Sequence, residues 1–126
     1  MLKRLKNQSL FREEGLIDGV WSQSDSKQTL AVLNPATGEV LGTIPNMGTQ
    51  ETRRAILAAK SAWRGWREKT ARERGVILRR WYELVLEHQD DLATIMTLEQ
   101  GRPYKDAKNE VIYAATFIDW YAEEGK

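Results

Sequence analysis

Apolar positions along the chain change their period once, near residue 48, and that change organises everything else. Between residues 15 and 46 they come in short runs broken by turn residues, which predicts strands. Leu16-Ile17-Asp18-Gly19-Val20-Trp21 sets Asp-Gly between two such runs, the strongest short-range hairpin signal. Ser22 to Lys27 is a polar loop. Thr29-Leu30-Ala31-Val32-Leu33 reads as a strand ended by Asn34-Pro35, and Ala36-Thr37-Gly38 as a turn. Glu39 to Ile44 reads as a further strand closed by Pro45. A meander of short strands over 15–46 is the simplest expectation. Residues 1–14 read as a tail that turns helical near Leu10 and Phe11.

From Thr49 the period is helical. Ile56, Ala59, Trp63 and Trp66 share one face, widened by Ala55 and Ala62. Thr49 is the candidate N-cap, with Glu51 in the first turn. Thr70-Ala71-Arg72-Glu73 has the form of a capping box, and the helix after it carries Ile77, Trp81, Leu84, Val85 and His88 on one stripe. Asp90 and Asp91 suit a new helix start, with Leu92, Ile95 and Met96 as its apolar face. Gly101 is the candidate C′ residue, Pro103 blocks continuation, and Pro103 is an acceptable first residue of the last helix. That helix has two apolar faces: Ala107, Val111, Ala114, Ile118 and Tyr121 on one, Tyr113, Phe117 and Trp120 on the next. The expected class is α+β, a short N-terminal β meander or hairpin followed by three to four α-helices over 49–126.

Composition narrows the chemistry. The 126 residues contain no cysteine, which removes disulfides, thiolate metal sites and a thiol nucleophile. Net charge is +1, but it is unevenly spread. Residues 53–80 carry ten basic side chains against Glu68 and Glu73, and residues 81–126 carry ten acids against Arg102, Lys105, Lys108 and Lys126. Such opposed blocks are ordinarily solvated helix faces that can pair. Arginines beside Trp63, Trp66 and Trp81 could bind nucleic acid, yet these tryptophans sit on the apolar stripes, so packing in a core is the expectation. His88, the sole histidine, lacks companions for a metal site and lies at a helix break, which favours a capping or core role. Asp90 and Asp91 point about 100° apart on a helix and do not face each other across a substrate. No glycine pattern makes a phosphate loop. No apolar run reaches the roughly 18 residues of a membrane helix. Met1-Leu2-Lys3-Arg4-Leu5-Lys6 lacks the apolar region of an export signal, so Asn7-Gln8-Ser9 is a chance sequon and a cytoplasmic location is expected.

Taken in order, these segments are similar to a known family. Leu10-Phe11-Arg12, the Leu16-to-Trp21 hairpin, Asn34-Pro35-Ala36-Thr37-Gly38, Glu51-Thr52-Arg53-Arg54-Ala55-Ile56, Trp63-Arg64 and Thr70-Ala71-Arg72-Glu73-Arg74 come first. The Glu87-to-Pro103 run and the Tyr113-to-Glu124 ending complete the set. From Leu10 onward the chain resembles the N-terminus of aldehyde dehydrogenases, in particular succinate-semialdehyde dehydrogenases and their glutarate-semialdehyde relatives. The resemblance implies part of an NAD(P)-binding domain of an α/β enzyme, NAD or NADP as cofactor, a small aldehyde as substrate and a homo-oligomeric parent. It also implies a cysteine thiolate that attacks the aldehyde, amides that hold the oxyanion, hydride transfer to nicotinamide and a glutamate-activated water. In the family all of those residues, and the dinucleotide-binding strands, lie downstream of this stretch. The resemblance therefore assigns no catalytic, cofactor-binding or metal residue here, and NAD(P) binding by this chain alone is not expected. It does place Tyr113 and Phe117 at positions bordering the aldehyde entrance tunnel of the intact enzyme. The chain is expected to be a truncated product or partial sequence, inactive alone. The alternatives are a helical interaction module, associating with itself or a full-length subunit, and a nucleic-acid binder using the basic stretch 53–80.

Overall fold

A computed structural model describes residues 2–126, with α+β architecture. Four strands come first: β1 (Gly15–Ile17), β2 (Val20–Ser22), β3 (Thr29–Leu33) and β4 (Val40–Pro45). Four helices follow: α1 (Thr49–Glu68), α2 (Ala71–Glu87), α3 (Gln89–Gln100) and α4 (Tyr104–Glu124). The tail holds two 3-10 turns, Leu2–Arg4 and Gln8–Leu10. No helix among the described residues is long and apolar enough to cross a membrane. The chain forms two compact units, one of residues 11–68 and the other of residues 1–10 with 69–126.

The strands form two separate antiparallel hairpins in place of one meander. In β1–β2, Asp18 and Gly19 both take left-handed φ values of 53° and 75°, the combination a type I′ turn requires. β3 pairs with β4 from Thr29↔Pro45 to Leu33↔Val40, with an irregularity at Val32/Leu33. Pro45 belongs to β4, as its last residue. The meander fails between β2 and β3 because the intervening loop folds onto itself. Lys27 N–H donates to the Ser24 carbonyl (2.9 Å), and the Ser24 hydroxyl donates to the Gln28 carbonyl (2.7 Å).

α1 starts one residue earlier than its N-cap expectation. Thr52 N–H donates to the Gly48 carbonyl, so Gly48 is the cap and Thr49 the first helical residue. The buried Glu51 carboxylate accepts from Gly48 N–H (3.1 Å) and from Asp25 N–H in the loop (2.8 Å). Small residues of α1, Ala55 and Ala58, are half-buried and lie with Leu16 and Ile17 around a shallow groove. The larger side chains on the expected face are open to solvent, Ile56 at 63% and Trp63 at 58% exposure, while Trp66 is half-buried. Trp81 on α2 is also exposed. The expectation that these tryptophans fill a core is thus corrected for Trp63 and Trp81: periodicity reports which face is apolar, not whether anything covers it.

In the helical unit the Thr70–Glu73 capping box forms in both directions, at 3.2 and 2.7 Å. α2 packs against α4, and α3 against α4. Gly75 lets the backbones approach: a Cβ there would stand 3.1 Å from the Ala122 carbonyl. The core centres on Ala93, Ala107 and Val111, flanked by Val85, Leu92 and Met96. The buried face of α4 is Ala107, Val111, Ala115 and Ala122; Ala114 and Tyr121, expected there, are exposed. Alanine wins these positions because helices that close admit only small side chains. Gly101 caps α3 at φ 70°, as its position predicted. Pro103 is the N-cap of α4 and not its first residue, since its carbonyl accepts from Ala107 N–H at 2.9 Å.

Candidate functional site

The two residues singled out for a tunnel lie one turn apart on α4. Tyr113 and Phe117 stack edge to face, with ring centroids 5.0 Å apart and planes at 82°. That i, i+4 spacing stacks side chains along one helix face. Thr116 donates its hydroxyl to the Tyr113 carbonyl (2.6 Å), and Thr116, Phe117, Trp120 and Tyr121 line an open groove of ≈ 320 Å³. Tyr113 is 60% exposed, Phe117 49% and Trp120 63%. The result is an aromatic face on α4 that stands exposed among the described residues.

His88 is a one-residue joint. Its N–H donates to the Leu84 carbonyl and its carbonyl accepts from Leu92 N–H, so it closes α2 and opens α3. Its side chain makes no capping bond to α3. Among the described residues no group of three His, Cys, Asp or Glu side chains is placed to hold a metal.

Asp90 and Asp91 diverge as helix geometry demands, and each has a specific partner that sequence reasoning did not supply. Asp90 accepts from Lys108 Nζ (2.7 Å) and the Tyr104 hydroxyl (3.0 Å). The Lys108 bond, then that of Tyr104, holds its carboxyl below the ordinary value, while Lys108 is raised in return. Burial, then the bond to Asp90, pushes the Tyr104 phenol up. Asp91 is buried and accepts from Lys6 N–H (3.0 Å) and Asn7 N–H (2.8 Å). A partner some 85 positions away leaves no local sequence signal.

The basic stretch is partly neutralised within each unit. Arg54 grips Asp25 through both guanidinium ends (2.8 and 2.6 Å), which holds the Asp25 carboxyl below its ordinary value. Arg64 pairs with Glu68, Arg79 with Asp119 and Arg80 with Glu83.

Comparison with known proteins supplies what this geometry does not. The family model for the aldehyde dehydrogenase family matches residues 21–126. The chain belongs to the aldehyde dehydrogenase family. This aldehyde dehydrogenase segment is 58% identical over 123 residues to a glutarate-semialdehyde dehydrogenase of Pseudomonas putida, covering 98% of this chain and 26% of that protein. It is 53% identical to the NADP(+) succinate-semialdehyde dehydrogenase of Escherichia coli, with the same two coverages. A crystal structure of succinate-semialdehyde dehydrogenase from Burkholderia pseudomallei superposes with a TM-score of 0.95 at 57% identity, again over 98% of this chain and 26% of that one. The chain spans about a quarter of the length of the relatives it matches.

Proposed function

We propose that these 126 residues serve as the N-terminal quarter of an NAD(P)-dependent dehydrogenase that oxidises succinate or glutarate semialdehyde to the dicarboxylate. The observation that carries this is near-complete coverage of the chain at above 50% identity by enzymes named for those two substrates. The chain's own contribution is architectural: two hairpins, and helices whose uncovered apolar faces (Ile56, Trp63, Trp81, Phe117, Trp120) fit packing against the remainder of such an enzyme. The parent is then a homo-oligomer acting on a small aldehyde, with the cytoplasm as its compartment. A thiolate nucleophile is required by that chemistry, and no cysteine lies in these residues, so the chain alone turns over no aldehyde and holds no NAD(P). In the complete enzyme, Tyr113 and Phe117 border the aldehyde's path.

A chimera tests the reading. Residues 1–126 replace the matching quarter of the Escherichia coli enzyme, and NADP reduction is followed with succinate semialdehyde and with glutarate semialdehyde. Turnover by the chimera, and none by the chain alone, is expected. A folded chimera without turnover, or turnover by the 126 residues, overturns it. Within the active chimera, Phe117→Ala is expected to raise KM roughly tenfold with little change in kcat, as for loss of uniform binding; an unchanged KM removes Phe117 from the aldehyde's path.

The same uncovered faces favour a second reading, a helical module that associates with itself or with a full-length subunit. A compact monomer in size-exclusion chromatography, alone and mixed with the full-length relative, would dismiss it. Nucleic-acid binding through residues 53–80 has less support, since Arg54, Arg64, Arg79 and Arg80 are already paired with carboxylates.

A further inference from the structure

Residues 2–10 are tied to the helical unit by one buried carboxylate that takes two successive backbone amides. The segment organises itself locally: Leu5 N–H donates to the Leu2 carbonyl (3.1 Å), and Gln8 Nε2 donates to the Leu5 and Leu2 carbonyls (3.0 and 3.2 Å). Asn7 Oδ1 accepts from both the N–H and the hydroxyl of Ser9 (3.0 and 2.7 Å). Its main hold on α3 is the Asp91 side chain. The two oxygens of Asp91, 5% exposed, accept separately from the Lys6 and Asn7 amides. Lys6 Nζ adds only a long, exposed pair with Asp90 (3.5 Å). Leu5 is buried to 6% exposure, so the docked segment seals something. Arg4 forms one wall of a groove of ≈ 300 Å³ whose other walls are Thr94, Thr97, Leu98 and Tyr104. Lys6, Asn7 and Leu5 thus meet the helical unit at one place, the buried start of α3.

We propose that residues 2–10 are a strap that opens and closes over α3 as a unit, and that the Asp91 carboxylate is its latch. Two charge-assisted hydrogen bonds from successive amides hold it shut. Opening bares Leu5 and the Thr94–Thr97–Leu98–Tyr104 groove while α2 and α4 stay packed.

The latch sits on the bond that a protease must reach. Trypsin cleavage after Lys6 requires the Lys6–Asn7 peptide, whose N–H Asp91 holds, to leave α3. The experiment digests the 126-residue chain under native conditions, reads cleavage after Arg4 and Lys6 by mass spectrometry, and follows amide exchange in α2 and α4 in parallel. Asp91→Asn is expected to speed both strap cuts roughly tenfold or more, since a neutral amide oxygen accepts far more weakly than a carboxylate. Asp91→Ala is expected to do at least as much. Asp90→Asn, which loses Lys108, Tyr104 and the long exposed Lys6 pair but neither strap amide, is expected to leave the cuts near the parent rate. Exchange in α2 and α4 is expected to stay unchanged in Asp91→Asn. Equal cleavage in Asp91→Asn and the parent chain overturns the latch. Loss of α2 and α4 protection together with the strap overturns it too, because Asp91 would then hold up the whole unit.

Discussion

Asp25 and Glu51 show how a few carboxylates place a loop that has no regular structure. Glu51 takes two backbone amides and Arg54 takes Asp25. The Arg54 bond lowers Asp25 from its ordinary value of 3.8, and the bonds from the Asp25 and Gly48 amides contribute to lowering Glu51 from 4.5. A carboxyl whose folded value is depressed adds stability that is complete above its unfolded value and is lost as pH falls through the folded one. Unfolding midpoints in urea are therefore expected to fall as pH drops below 4.5, the ordinary glutamate value, and Asp25→Asn to flatten part of that slope; identical slopes would remove the Asp25–Arg54 pair from the account. Glu51 could be expected in a first helical turn from the dipole alone. Its grip on Asp25 could not, because nothing local in the sequence says where an irregular loop returns. Asp91 repeats the lesson with a wider separation.

At the scale of elements, most of what formed was written in short-range chemistry. Asp18-Gly19, Thr70 with Glu73, and Gly101 each dictate backbone geometry within four residues, and each is where its pattern put it. Pairing between elements was less legible: nothing in the residue pattern separates two hairpins from one meander, since alternation is the same in both. Thr70→Ala removes one half of the capping box and is expected to cost about 1 kcal/mol in denaturant unfolding. Gly75→Val pushes two methyls toward the Ala122 carbonyl, with the first carbon already 3.1 Å from it. Overpacking of this kind typically costs ~1–3 kcal/mol. A variant as stable as the parent chain would mean that α2 and α4 can part freely.

For the whole molecule, the tryptophan-bearing faces read from period on α1 and α2 were expected in a core, yet Trp63 and Trp81 stand exposed, and on α4 the buried positions are Ala115 and Ala122 in place of Ala114 and Tyr121. A helix pattern encodes which face is apolar, and not what covers it. Exposed Ile56, Trp63, Trp81, Phe117 and Trp120 predict strong binding of a hydrophobic dye by the isolated chain and its loss in the active chimera; dye binding that is weak in both would show the faces closed in solution. The helical unit is also discontinuous, since residues 1–10 and 69–126 belong together while 11–68 form the other unit. Docking the strap on Asp91 thus closes a loop of some 85 residues, whereas α2, α3 and α4 meet their neighbours through short connections. Chain-entropy arguments then order the assembly: the helices come together early from local contacts, and the strap arrives last, after the slowest search in the unit.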